Sequence, residues 1–172
     1  TLRTESTAIK LEEAKRLGYE LCAKCFPEAA ALIPAKNYPY DIHGVVVKII
    51  DGDSITMLVE KSQLKIRLNG IDAPEAGQAY WKKSREFLRN AIANKTITAR
   101  VFGVDRYGRL LADILANGRN INSELVANGL AWHYKAYSSN PELAKLEEEA
   151  RKKRIGLWQD PRPIAPWDYR RR

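Results

Sequence analysis

The sequence predicts an α+β fold: a five-stranded OB-fold-like β-barrel with about three packed helices, plus a small N-terminal helical appendage that carries a CxxC. Three observations carry the prediction. Five short stretches alternate apolar and polar residues at the strand period. Helical patterns are interleaved with them. The texture changes near residue 40, where helix-like material gives way to β-branched runs.

The chain has 172 residues, enough for one compact domain with an appendage. It is 45% hydrophobic and 29% charged, which excludes a disordered chain. No apolar run approaches the roughly 20 residues that span a bilayer. The formal net charge of +8 fits a polyanionic partner, nucleic acid before a membrane surface.

Residues 1–39 read as the appendage, 40–160 as the main domain and 161–172 as an extended basic tail. In the appendage, LEEAKRLG forms a short helix pattern that Gly18 ends, and CAKC places Cys22 and Cys25 three apart. Tyr38, Pro39 and Tyr40 read as linker. The first strand is the run through Val45, Val46, Val47, Ile49 and Ile50, ending at the turn Asp51-Gly52-Asp53. A second strand covers residues 54–60. A third covers 64–68, with Leu64, Ile66 and Leu68 on one face and Lys65 and Arg67 on the other. Residues 79–93 carry the stripe Tyr80, Phe87, Leu88, Ala91 and Ile92 at helical spacing. Strands four and five are expected at 96–102 and 110–115, and Asn117-Gly118 is a tight-turn signal. A short helix is expected at 122–128, stopped by Gly129. The last helix opens at Asn140-Pro141, an N-cap followed by proline, runs acidic to basic, and ends at Gly156.

The chemistry-bearing residues lie at strand ends. Asp51 and Asp53 flank a glycine, and Asp72 and Glu75 flank Ala73-Pro74. Carboxylate oxygens suit a hard cation whose shell water and substrate phosphate complete. Arg67 and the Asp105-Arg106-Tyr107-Gly108-Arg109 turn supply forks that match phosphate oxygens. Taken singly, these motifs are weak: DGD is an ordinary turn, DAPE suits a helix start, and Arg67 can simply pair with a surface carboxylate.

Together, in order and spacing, IDGDS (50–54), IRLNGIDAPE (66–75), DRYGR (105–109), NSELVANGLAW (122–132) and the stretch 137–158 resemble the staphylococcal nuclease (thermonuclease) family. The resemblance covers about residues 42–160. It implies an OB-type barrel with three helices and a Ca²⁺-dependent cleavage of DNA and RNA that leaves 3′-phosphate ends. Asp53 and Asp72 match the family's calcium ligands, and Ala73 falls where calcium takes a backbone carbonyl. Glu75 matches the glutamate assigned as general base through a water. Arg67 and Arg109 match the two phosphate-binding arginines, and Arg106 and Tyr107 a lysine–tyrosine pair on a nucleotide phosphate. Tyr134 and Tyr137 fall near the tyrosines of the nucleotide pocket. The loop after Glu75, AGQAYWKKS, is much shorter than the prototype's, and Trp81 stands where a small residue is expected.

The resemblance also implies an exported, secreted or periplasmic, setting. DNA and RNA are the expected substrates of a monomer with no membrane and no obligate protein partner. The alternative is a non-catalytic nucleic-acid or partner-binding module on the same fold, against which the five residues Asp53, Asp72, Glu75, Arg67 and Arg109 stand together. The CAKC segment resembles the end of an Ada-like metal-binding module. Zinc usually takes four ligands, and Cys22 and Cys25 are two, so a disulfide or free thiols are expected ahead of Zn²⁺. A zinc-dependent structural or DNA-binding protein is the third reading. His133, without a carboxylate beside it in sequence, is not expected to be catalytic, and the terminal arginines are expected to be solvated.

Neutralised phosphates release counterions, so binding of single-stranded DNA by a cleavage-silent variant should weaken at least roughly tenfold between about 50 and 200 mM salt. A filter-binding titration with a flat salt response would count against a basic nucleic-acid surface.

Overall fold

The computed structural model describes residues 38–171. The expected helix at LEEAKRLG and the Cys22–Cys25 segment lie outside them. Five strands make the barrel: β1 (Tyr40–Ile49), β2 (Ser54–Val59), β3 (Ser62–Leu68), β5 (Thr96–Val104) and β6 (Leu110–Ala116). The order is β3-β2-β1-β5-β6, antiparallel throughout, and a parallel pairing of β3 with β6 closes it. Inward positions alternate as the strand period requires: Ile55 and Met57, Leu64, Ile66 and Leu68, Ile97, Ala99 and Val101, Leu110, Ala112 and Ile114 are all buried. Register shifts between Val46 and Lys48 in β1 and between Val101 and Gly103 in β5 bend those strands around the small barrel.

The first strand starts earlier than expected. Tyr40 was expected in a linker, yet residues 40–45 pair with β5 from Val101 back to Thr96. The outward side chains there find partners across the pair: Arg100 bridges Asp41 at 2.9 Å, and Thr98 bonds His43 at 2.9 Å. Two-residue strands were not foreseen. β4 (Ile71–Asp72) pairs with β8 (Trp132–His133), and β7 (Arg119–Asn120) follows the Asn117-Gly118 turn.

The helices fall where expected. α1 (Trp81–Ile92) buries Ser84, Leu88 and Ile92. α2 (Ile121–Ala127) is capped by Asn120, whose side chain accepts from Ser123 N–H. α3 (Pro141–Lys152) is capped by Asn140, which accepts from Glu142 and Leu143 N–H. Asn122 is buried where the barrel closes. Its Oδ1 accepts from Ile114 N–H, and its Nδ2 donates to the carbonyls of Asn69, just past β3, and Ala112 in β6.

A second apolar cluster sits outside the barrel: Trp132, Ala150, Leu157, Trp158 and Ala165, with Tyr80, Ile155 and Trp167 against them. It gathers the end of α3, the 3₁₀ turn Gly156–Gln159 and α4 (Pro166–Tyr169). The stretch 161–172, expected as an extended basic tail, is therefore folded back in its described part, with Ala165 and Pro166 buried, and Arg170, expected to be solvated, is paired with Asp72 and Glu75. Its Ala165 and Trp167 pack into that second apolar cluster.

The ends of α2 and α3 meet backbone to backbone. Leu157 N–H donates to Gly129 O at 2.8 Å, and a Cβ on Gly129 would stand 2.2 Å from Ile155 O at a φ of +58°. Gly129→Ala should therefore cost about 3 kcal/mol or more, combining left-handed strain with a backbone clash. Urea unfolding measures it; a loss under about 1 kcal/mol would mean the two helix ends can separate freely.

Candidate active site

Asp53 sits in the β1–β2 turn, where its own carboxylate is used as a brace. Its Oδ2 accepts from Ala73 N–H at 2.6 Å, and its Oδ1 accepts from Ser54 Oγ at 3.1 Å. Leu68 N–H donates to Asp53 O at 2.8 Å, tying the turn to the end of β3. Only glycine fits at position 52, because a Cβ there would lie 2.7 Å from both Ala73 Cβ and Ser84 Cβ. Asp51 caps the same turn by accepting from Asp53 N–H at 3.0 Å.

Asp72 is carried by β4, opposite Trp132 of β8, and its side chain is only 2% exposed. Arg67 reaches it from β3. Arg67 Nη2 lies 2.8 Å from Asp72 Oδ1 and 3.1 Å from Asp53 Oδ2, so one nitrogen joins the two acids. Arg67 Nη1 donates to Leu68 O and Ile71 O, both at 2.8 Å. The strand period does place Arg67 opposite the core residues, and there it meets buried carboxylates, not surface ones. Burial pushes the Asp72 carboxyl above its ordinary value, against the pull of the Arg170 hydrogen bond and the Arg67 charge.

Glu75 follows Pro74 at the edge of the site. Gln78 fixes it by accepting from Glu75 N–H at 2.7 Å and donating its own N–H to Glu75 O at 2.9 Å. Gln78 Nε2 in turn donates to Ile164 O at 3.0 Å. The short loop after Glu75 is thus braced by the C-terminal segment. The same segment brings in a residue that the motif reading did not single out. Arg170 Nη2 donates to Asp72 Oδ2 at 2.9 Å, and its Nη1 donates to Asp72 Oδ1 at 3.3 Å and to Glu75 Oε1. The signal available in sequence was an arginine run directly after an apolar, aromatic stretch, PIAPWDY.

Arg109 arrives through barrel closure. Arg67 is in register with Leu111 of β6, two residues beyond Arg109, so alternation puts Arg67 and Arg109 on the same outer face. Asp105 organises the turn: Oδ1 accepts from Tyr107 and Arg109 N–H, and Oδ2 takes Arg109 Nε at 2.7 Å. That contact uses Nε and leaves the two terminal nitrogens of Arg109 outside it. Arg106 Nη2 donates to Tyr107 Oη at 2.7 Å on the exposed rim. The DRYGR turn is both a capped turn and an arginine mount.

Tyr134 and Tyr137 stand together, ring centroids 4.8 Å apart. Trp167 lies flat on Tyr134 at 5.1 Å and 2°, while Tyr137 is well exposed. A half-open cavity of about 360 Å³ beside them is lined by Trp132, Tyr134, Lys135, Arg151 and Trp167 among others. His133 is buried with Nε2 3.1 Å from Ser138 Oγ, and burial lowers its pKa. It touches no acid of the site. Its N–H instead donates at 3.3 Å to buried Glu147, which Lys135 pairs at 2.8 Å and Arg151 at 3.3 Å.

The donor set is one of hard oxygens. Among the described residues no three His, Cys, Asp or Glu side chains are grouped to hold a metal ion. Two buried carboxylates do converge on one nitrogen, and a guanidinium stands as a cation between Asp72 and Glu75. Such a set of carboxylate oxygens has the chemistry of a donor set for a hard divalent cation. Cys22 and Cys25 lie outside the described residues.

Residues 65–160 match the family model described as staphylococcal nuclease homologue. The chain is 43% identical over 133 residues to an uncharacterized endonuclease of Escherichia coli O157:H7, covering 77% of this chain and 87% of that protein. It is 38% identical over 156 residues to a micrococcal nuclease of Shigella flexneri, covering 83% and 90%. A staphylococcal-like nuclease of Arabidopsis thaliana is 43% identical over 109 residues, covering 63% of this chain and 34% of the plant protein.

The Asp51 carboxyl is pushed up to about 6, first by burial and then by the Asp53 charge. An unfolded aspartate titrates near about 4, so the folded protein holds this proton more tightly and loses stability as pH rises from there to about 6. In EDTA, Asp51→Asn should be more stable than the wild type above pH 6, by about 1–3 kcal/mol. The gap should close toward pH 4. Unfolding midpoints across that range check it, and a pH-independent gap would refute the assignment.

Proposed function

The chain belongs to the staphylococcal nuclease family, and we propose that it is a calcium-dependent, sequence-non-specific phosphodiesterase of DNA and RNA that leaves 3′-phosphate ends. The observation that supports this reading is the convergence of Asp53, Asp72 and Glu75 with Arg67 and Arg109 on one face of the barrel.

Asp53 and Asp72 would hold calcium, with the Ala73 carbonyl beside them. Calcium, when bound, supplies a hard positive charge that lets these acids stand next to a phosphodiester. Glu75, the most exposed of the three acids, orients or deprotonates a water. That water attacks phosphorus in line, and the bond to the 5′-oxygen breaks. Arg109 neutralises charge that develops on the phosphoryl oxygens. Arg67 has both terminal nitrogens bound to protein oxygens, so it acts first by holding Asp53 and Asp72 at one spacing. It reaches a phosphate only by trading one of those contacts. The leaving oxygen takes its proton from water, because a guanidinium holds its protons too tightly to be a good acid. No ribose hydroxyl is needed, so one site serves DNA and RNA.

Substrate is held through its backbone. Arg106 and Tyr107 sit on the rim for a neighbouring phosphate, and the exposed Tyr137 ring offers a stacking face that favours flexible single strands. Tyr134 contributes less of its surface, since Trp167 covers one side.

Plasmid DNA and single-stranded RNA should be cut in Ca²⁺ and left whole in EDTA, with phosphatase-sensitive 3′ ends. Glu75→Gln should lower kcat by about 10²–10⁴ and Arg109→Ala by about 10²–10³. A wild-type protein that binds these substrates without Ca²⁺-dependent cleavage is instead a binding module on the nuclease fold.

A further inference from the structure

The acids of the site already have a cation, and it comes from the far end of the chain. Arg170 takes both oxygens of Asp72 and one of Glu75. Its seat is built. Trp167 stacks on Tyr134 and meets Trp132 edge-on at 5.4 Å. Ile164 O accepts from Gln78, and the Tyr169 hydroxyl fills the space a Cβ would need at Gly77, 2.8 Å away. Arg170 N–H donates to Pro166 O at 3.0 Å, so α4 presents the side chain at a set place.

A divalent cation needs the same oxygens. Asp72 Oδ1 is shared by Arg67 and Arg170, and Oδ2 is held by Arg170. Asp53 Oδ2 already receives Ala73 N–H and Arg67. At least one guanidinium must therefore yield. Arg67 is 12% exposed and also bonded to two carbonyls, whereas the Arg170 side chain is 42% exposed and, among the described residues, bonded only to the acids. Of the two, Arg170 has fewer contacts to give up, and Trp167 anchors its segment independently of that side chain.

We propose that Arg170 is a positioning residue of the active site: the resident counter-ion of Asp72 and Glu75, exchanged against the divalent cation, and so the residue that sets cation affinity. It holds the two acids together when no metal is bound, and competes with the metal that arrives. This inference rests on the calcium reading of Asp53 and Asp72.

Isothermal titration of the nucleic-acid-free protein with Ca²⁺ tests it without any activity measurement. Arg170→Met should bind Ca²⁺ about tenfold more tightly than the wild type, the scale of one exposed charge-assisted contact relieved. Arg170→Lys, with a point charge in place of the fork, should fall between the two. Equal or weaker binding by Arg170→Met, with its folding checked by circular dichroism, would overturn the inference while leaving the calcium reading intact. Where that variant does not fold, the lysine variant decides: tighter binding than the wild type supports the inference, and equal or weaker binding overturns it. Absence of Ca²⁺ binding in every form, the wild type included, overturns the calcium reading and this inference together.

Discussion

One guanidinium holds the site in shape. Arg67 Nη2 touches Asp53 and Asp72, and its Nη1 touches the carbonyls of Leu68 and Ile71. Through it the β1–β2 turn, the end of β3 and β4 are one unit. Two carboxylates buried side by side repel each other and lose solvation, and each is costly without a counter-charge. Removing Arg67 would take the guanidinium from Asp53 and leave Asp72 with Arg170 as its counter-charge. The contact is therefore as much a condition of the local fold as of its chemistry. The raised Asp51 and Asp72 values have the same origin, burial among like charges.

Everything else in the site depends on how that unit is approached. Barrel closure brings β6 alongside β3 in parallel, and with it the DRYGR turn, so Arg109 stands on the face that Arg67 occupies. Asn122 secures the closing seam from the start of α2 by satisfying backbone groups of β3's end and β6. A buried side-chain amide doing this work is sensitive to shape, since each of its bonds needs a partner at one place.

The C-terminal segment answers a question the short loop after Glu75 poses. With only a few residues between Glu75 and α1, the loop cannot fold over the acids itself. Residues 164–170 lie against it instead, joined by Gln78 to Ile164 O and by the Tyr169–Gly77 approach. The tryptophan cluster makes that docking favourable, because Trp132, Trp158 and Trp167 cover one another and Arg151 lies 3.9 Å from the Trp158 ring centroid. A site edged by a strand turn on one side and a docked terminus on the other has its charge balance set by both.

The five barrel strands and three main helices were legible in the sequence because alternation, helical stripes, Asn140-Pro141 and the glycine stops are local signals. Asp53, Asp72, Glu75, Arg67 and Arg109 were expected as a set only through the family resemblance that their motifs carry together. The two-residue strands β4 and β8 were not, since pairs of residues carry no period. Nor was the partnership of Arg67 with both acids, which depends on side chains from separate elements meeting in three dimensions. The tail was misjudged for the same reason: proline and arginine read as solvated chain, while the aromatic surface that captures it belongs to residues 132–158. By itself the sequence determined which residues carry charge and which strands can bury a core. Only the tertiary structure decided which charges neutralise one another, because that follows from distance and burial across the closed barrel, and there it set Arg170 on Asp72 and Glu75.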